Sequence, residues 1–149
     1  MKAALAAAAL LLAAACSDAS GPADDARVRT DASVYMIPGG GPAPSEVRVG
    51  FTVRNTGSEP IALPNCGINV ATEVERREAG VWVRVSSSAC PTLAIYAPVV
   101  LAPGEVAEGF ITVNGAGQYR LRVPLSPEVG KELSDFALSP DFEVRWLAD

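Results

Sequence analysis

A chain of 149 residues with a formal net charge of −5 and no histidine has the size of one ordinary domain plus short extensions, since domains cluster at about 100–150 residues. Its acidic balance releases no counterions from a phosphate backbone and meets no attraction at an anionic lipid surface, which excludes nucleic acid and electrostatic membrane docking. The missing histidine excludes a Ser-His-Asp triad and leaves the cysteines short of partners for a tetrahedral zinc site.

The chain opens with one cation, Lys2, and an apolar run from Ala3 to Ala15. That run is shorter than the roughly 20 residues a spanning helix needs, and a lone cation before a short apolar stretch is the secretory layout. It closes on Leu10-Leu11-Leu12-Ala13-Ala14-Ala15-Cys16, followed by polar Ser17-Asp18. This resembles a bacterial lipoprotein signal peptide with its lipobox. The resemblance implies cleavage before Cys16 and acylation of that cysteine, palmitate-like chains included. Ser17 behind the cysteine implies the outer membrane rather than the inner one. Ala13 stands where the family most often has Leu, so plain signal-peptidase cleavage, giving a secreted or periplasmic protein, is the alternative. Residues 1–15 are then the signal peptide. Residues 16–26, small, polar and rich in Asp, bury too little apolar area to offset their ordering entropy and should form a disordered tether. Residues 27–149 are the domain.

Within the domain, Arg27-Val28-Arg29-Thr30 and Ser33-Val34-Tyr35-Met36 read as one strand or a broken strand, and the Gly/Pro-rich residues 38–45 as a loop. Residues 46–55 (EVRVGFTVRN) are the clearest strand, with Val47, Val49, Phe51 and Val53 on one face. Period two with one apolar face means a half-buried antiparallel strand. Asn55-Thr56-Gly57 turns the chain, and Ile61-Ala62-Leu63 is a short strand stopped by Pro64. Val70, Thr72, Val74 and Arg76 alternate, Glu78-Ala79-Gly80 turns, and Val81-Trp82-Val83-Arg84-Val85 returns as a hairpin, its three valines on one face. Pro103-Gly104 suits a type II turn. Val106 to Val113 is a strand. Gln118 to Val123 is another, with Tyr119, Leu121 and Val123 inward and Arg120 and Arg122 outward. Ser126-Pro127-Glu128 has the form of a helix start, good for one or two turns at most before Asp135. Phe142, Val144 and Trp146 share a face of the closing strand. About seven to eight short strands with Gly/Pro turns predict an all-β, immunoglobulin-like antiparallel sandwich, with at most a short helix near 127–135; a barrel is the other architecture this pattern allows.

Three pieces in this order are similar to the family of the BsuPI intracellular proteinase inhibitor. They are Phe51-Thr52-Val53-Arg54-Asn55-Thr56-Gly57, Leu101-Ala102-Pro103-Gly104-Glu105 and Gly117-Gln118-Tyr119-Arg120-Leu121-Arg122-Val123. Ser139-Pro140-Asp141-Phe142-Glu143-Val144 resembles its closing strand. The resemblance implies a sandwich over residues 46–146 and protease inhibition as one activity, although these motifs shape turns rather than carry chemistry.

The lipobox accounts for one of three cysteines, and Cys66 and Cys90 remain to pair, closing a loop of about 25 residues; two buried free thiols are the alternative. Ser86-Ser87-Ser88 has no histidine to activate it and reads as loop serines. Asp24-Asp25, Asp135 and Asp141 lack the spacing of a calcium loop, and Gly115-Ala116-Gly117 lies between strands rather than before a helix, so it cradles no phosphate. Trp82 lies opposite the three valines. If they are core, Trp82 is partly exposed beside Arg84, and the two form a candidate partner contact; otherwise Trp82 covers an edge. The resulting expectation is a non-enzymatic, monomeric envelope module without cofactor, metal or catalytic residues, binding a protein or polysaccharide partner. A BsuPI-like inhibitor is the alternative, and an enzyme with an unrecognised site comes last.

Overall fold

The computed structural model describes residues 23–38, 46–67, 69–88, 90, 96–128 and 130–147. Cys16, the signal peptide and most of the expected tether lie outside them. The ten residues Glu46–Asn55 form strand β3, the centre of a three-stranded sheet. β1 (Ala26–Thr30) and β8 (Val106–Asn114) flank it, both antiparallel. Alternation along β3 buries Val49, Phe51 and Val53 to 3% exposure or less.

The second sheet runs β2 (Val34–Ile37), β11 (Phe142–Trp146), β9 (Gly117–Leu125), β5 (Glu73–Glu78) and β6 (Val81–Ser87), with β10 (Asp135–Leu138) also on β9. β4 (Ile61–Leu63) and β7 (Val99–Leu101) form a small ribbon, tied on by an Ala62–Ser126 bridge. The two sheets enclose one core that includes Val28, Ile37, Val53, Val74, Leu121, Val123 and Val144. The chain is therefore an immunoglobulin-like β-sandwich. Among the described residues, eleven strands replace the seven to eight expected, because several are only three or four residues long.

The segment read as one or a broken strand is two strands in different sheets. β1 pairs with β3, and after Asp31-Ala32-Ser33 β2 crosses to run parallel to β11. The crossing is held by Tyr35, whose hydroxyl donates to the Asp31 carboxylate and accepts from Ala32 N–H at 3.0 Å. Burial, and then that bond to Asp31, pushes the Tyr35 phenol up to about 12. Contacts with the domain are also made by residues before Arg27. Ala23 N–H donates to Phe136 O at 2.6 Å, and Asp25 O accepts from Thr56 and Gly57, so residues 23–26 belong to the fold and not to a tether.

The turns carry the expected chemistry. Ala79 and Gly80, at φ 48° and 87°, make the two-residue loop between β5 and β6. Tyr119 OH donates back to Asn114 O at 2.9 Å and Gly115 O at 3.0 Å, the arrangement of a tyrosine corner. No helix occurs among the described residues. Ser126 Oγ accepts from Glu128 N–H at 3.3 Å and donates to Glu128 O at 2.7 Å. The cap contact forms, yet the side chain takes Glu128's carbonyl as well, which favours a turn over a helix.

Two apolar rows run wholly or partly outside the core. Val81, Val83 and Val85 are 65%, 40% and 42% exposed. They lie opposite Trp82 as expected, but the three-stranded sheet does not reach over β6. Val85 is moreover the extra residue of a bulge against β5, where Ser86 pairs Val74 and Arg84 pairs Glu75. On β11, Phe142 and Val144 are buried while Trp146, at the strand's end, is 52% exposed.

Candidate functional site

The outer face of the large sheet gathers charge and aromatic rings. On β5 and β9, Glu73 faces Arg122 and Glu75 faces Arg120; on β6, Arg84 faces Glu75 and Trp82 faces Arg77. Opposite charges placed directly across a ladder attract. Arg122 Nη1 lies 2.6 Å from Glu73 Oε2, and Arg84 Nη1 lies 2.7 Å from Glu73 Oε1. Arg120 Nε lies 2.6 Å from Glu75 Oε2. Each β9 guanidinium also covers a ring: Arg120 stands 4.5 Å from the Trp82 centroid and Arg122 stands 4.0 Å from that of Phe136. Such stacking adds attraction to the ion pair and fixes the plane of the fork.

The glutamates are the anchors of this row. Their side chains are only 16% and 14% exposed for Glu73 and Glu75, whereas Arg84 is 64% exposed. Burial on its own would raise the Glu73 carboxyl, but hydrogen bonds from Arg122 and then Arg84 outweigh it and hold the group below the usual carboxylate range. Glu143 and Arg145 on β11 add another pair at 2.6 Å. The face thus presents planar cations and ring edges held in place by these ion pairs. It carries no nucleophile paired to a base, and among the described residues no three His, Cys, Asp or Glu side chains converge as a metal site requires.

At the far end of β6, Cys66 and Cys90 form a disulfide with Cα atoms 4.8 Å apart. It ties the chain after β4 to the chain after β6, and such a bond belongs to an oxidising compartment. Beside it lies an open groove of about 520 Å³ lined by Asn69, Ser86, Ser88, Phe110 and Asn114 among others. Ser86 and Ser87 close β6 rather than sit in a loop, and Ser88 Oγ accepts from Thr72 N–H at 3.0 Å. Asn69 spends both ends of its amide on Phe110, donating to its carbonyl at 2.6 Å and accepting from its N–H at 2.9 Å. That contact caps the free edge of β8.

Trp82 and Arg84 therefore do share a face, and Trp82 is partly exposed there with Arg120 over its ring. Arg120, Arg122, Glu73, Glu75 and Phe136 were not picked out by sequence. Their signal was available: Glu at alternate outward positions of one strand and Arg at alternate outward positions of another. Only the pairing of β5 with β9 brings the two rows together.

No protein-family model matches the chain, and no curated protein does. Among solved structures, the structural-genomics target SoR45 is 13% identical with a TM-score of 0.49, over 80% of this chain and 86% of that one. The CARDB domain of PF1109 from Pyrococcus furiosus is 15% identical with a TM-score of 0.40, over 83% and 94%. A β-glucosidase from Listeria innocua is 12% identical with a TM-score of 0.40; 80% of this chain matches 16% of that one. These likenesses concern the path of the chain alone.

Proposed function

We propose that the chain is an exported, lipid-anchored envelope protein that acts by binding a partner rather than by catalysis. Acyl chains on Cys16 would hold it in the outer membrane, with the outer face of the large sheet turned to the partner. The observation that carries the binding reading is the row Trp82, Arg84, Arg120, Arg122 and Phe136 held by two half-buried glutamates. Arg and Trp dominate the centres of protein interfaces because they offer large contact area and several directed bonds. Here their rotamers are already fixed, so less entropy is lost on docking. That favours a protein partner with exposed carboxylates over a polysaccharide, since the row carries three guanidinium groups and one face of the Trp82 ring is already held by Arg120.

The lipid and the face are tested separately. Cys16→Ser should move the protein from the membrane fraction to the soluble one, because several acyl chains at about 0.8 kcal/mol per buried CH₂ hold a protein stably; a variant still in the membrane fraction overturns the anchor. Arg84→Ala, at an exposed position, should lower recovery of co-purifying envelope proteins while leaving thermal unfolding unchanged. Unaltered recovery overturns the face, and a protease panel separates this reading from inhibition.

A further inference from the structure

β6 ends the large sheet, and among the described residues no strand pairs with its outer edge. A long apolar edge is a template for another chain, and folded proteins usually blunt it. This one carries three exposed valines and a single charge, Arg84, in five residues.

The order Val81-Trp82-Val83-Arg84-Val85 is close to symmetric about its middle. Turned on a two-fold axis through Val83, it meets itself with Val83 on Val83, Val81 on Val85 and Trp82 on Arg84. The backbone agrees with that register. A two-residue hairpin loop closes on a hydrogen-bonded pair, here Glu78 and Val81. Alternation then turns the backbone groups of Trp82 and Arg84 away from β5. Those are the groups that would bond across the axis, each N–H to the other residue's carbonyl, once on either side of Val83.

We infer that β6 is a dimerisation edge, on which two copies join antiparallel about Val83 into one continuous sheet in place of the expected monomer. The match of ring to cation selects a second copy as the occupant. Across the junction the outer row reads Glu75, Arg84, then Trp82 and Arg77 of the second copy. Each ring receives a cation on its open side, and each Arg84 keeps a carboxylate on its own. On the inner side the valines of both copies stand side by side across the junction, Val83 against Val83 and Val81 against Val85. A foreign strand would have to bring a ring and a cation at matching positions, whereas a second copy supplies both by symmetry.

Cysteine cross-linking in the full chain tests the register. Cα atoms in a non-hydrogen-bonded pair lie about 4.5 Å apart, within the roughly 4.4–6.8 Å that a disulfide spans. Val83→Cys should therefore give a covalent dimer under mild oxidation, above the background of the unsubstituted chain. Val81→Cys should give at least about tenfold less, because its own counterpart would stand four residues along, about 13 Å away. Equal yields at the two positions, no dimer from Val83→Cys, or an adduct with a different envelope protein would each overturn the proposal. Val83→Lys, at an exposed position the fold tolerates, should halve the sedimenting mass of the unsubstituted chain; a mass that is monomeric in both overturns it too.

Discussion

On β9, Tyr119, Leu121 and Val123 alternate with polar neighbours and are 1% exposed or less; on β6, Val81, Val83 and Val85 alternate in the same way and are 40% exposed or more. Both rows point to the same side of the same sheet, since Arg76 of β5 pairs Tyr119 on one flank and Val83 on the other. What differs is the opposite layer. Three strands stand over six, so the middle of the large sheet is roofed and its β6 margin is not. Period two reports which way a side chain points. Whether anything lies there to meet it is decided by strands far away in the chain.

The largest expected effect sets these rows against each other. Leu121→Ala should cost about 2–5 kcal/mol in urea unfolding, as emptied core sites do. Val83→Ala should stay within about 0.5 kcal/mol in chain dilute enough to be monomeric, as surface changes do. A comparable cost at both sites would mean that β6 is covered. Next comes the disulfide, which pins the chain beyond β6 to the segment after β4. Replacing Cys66 and Cys90 together by Ser should lower stability by about 3 kcal/mol, and amide exchange should rise on β6 before it rises on β9. Unchanged exchange on β6 would show that its margin is held by other contacts. The smallest effect is electrostatic. Glu73 has a folded value below its unfolded one, so its pairing with Arg122 and Arg84 contributes stability above the ordinary carboxylate range. That contribution disappears as pH falls through the folded value. Glu73→Gln should flatten the acid side of the stability profile below about pH 4.5 and leave the neutral plateau lower; an unchanged acid limb would show that the pair is neutral in energy.

Local chemistry made much of the fold legible. β3 fills residues 46–55 as read, Ala79-Gly80 turns a hairpin, and Arg120 and Arg122 point outward. The cysteine count led to the Cys66–Cys90 bond. The Asn55-Thr56-Gly57 and Leu101-Ala102-Pro103-Gly104-Glu105 motifs proved to be two halves of one device. The buried Asn55 amide donates to Glu59 O at 2.8 Å and Leu101 O at 2.9 Å, and accepts from Gly57 N–H at 2.9 Å. What stayed hidden depended on tertiary placement. The β1–β2 crossing needs only three residues, Asp31-Ala32-Ser33, and shows no Gly or Pro to mark it. Trp146 follows the period of Phe142 and Val144 but runs past the end of the core. The outer-face row exists only once β5 lies beside β9.

The position of β11 has a consequence for the order in which the molecule can be made. β11 is the last strand among the described residues, yet it lies inside the large sheet, between β2 and β9, with Phe142 and Val144 in the core. β2 waits for a partner that arrives about a hundred residues later, and contacts of such separation make folding slow. A chain emerging from its N-terminus therefore holds β2 unpaired, and the places of Phe142 and Val144 in the core unfilled, until residue 144 is out. The β5–β6 hairpin and the Cys66–Cys90 bond span short separations and can form earlier, so the covalent tie can be in place before the sheet it braces is complete.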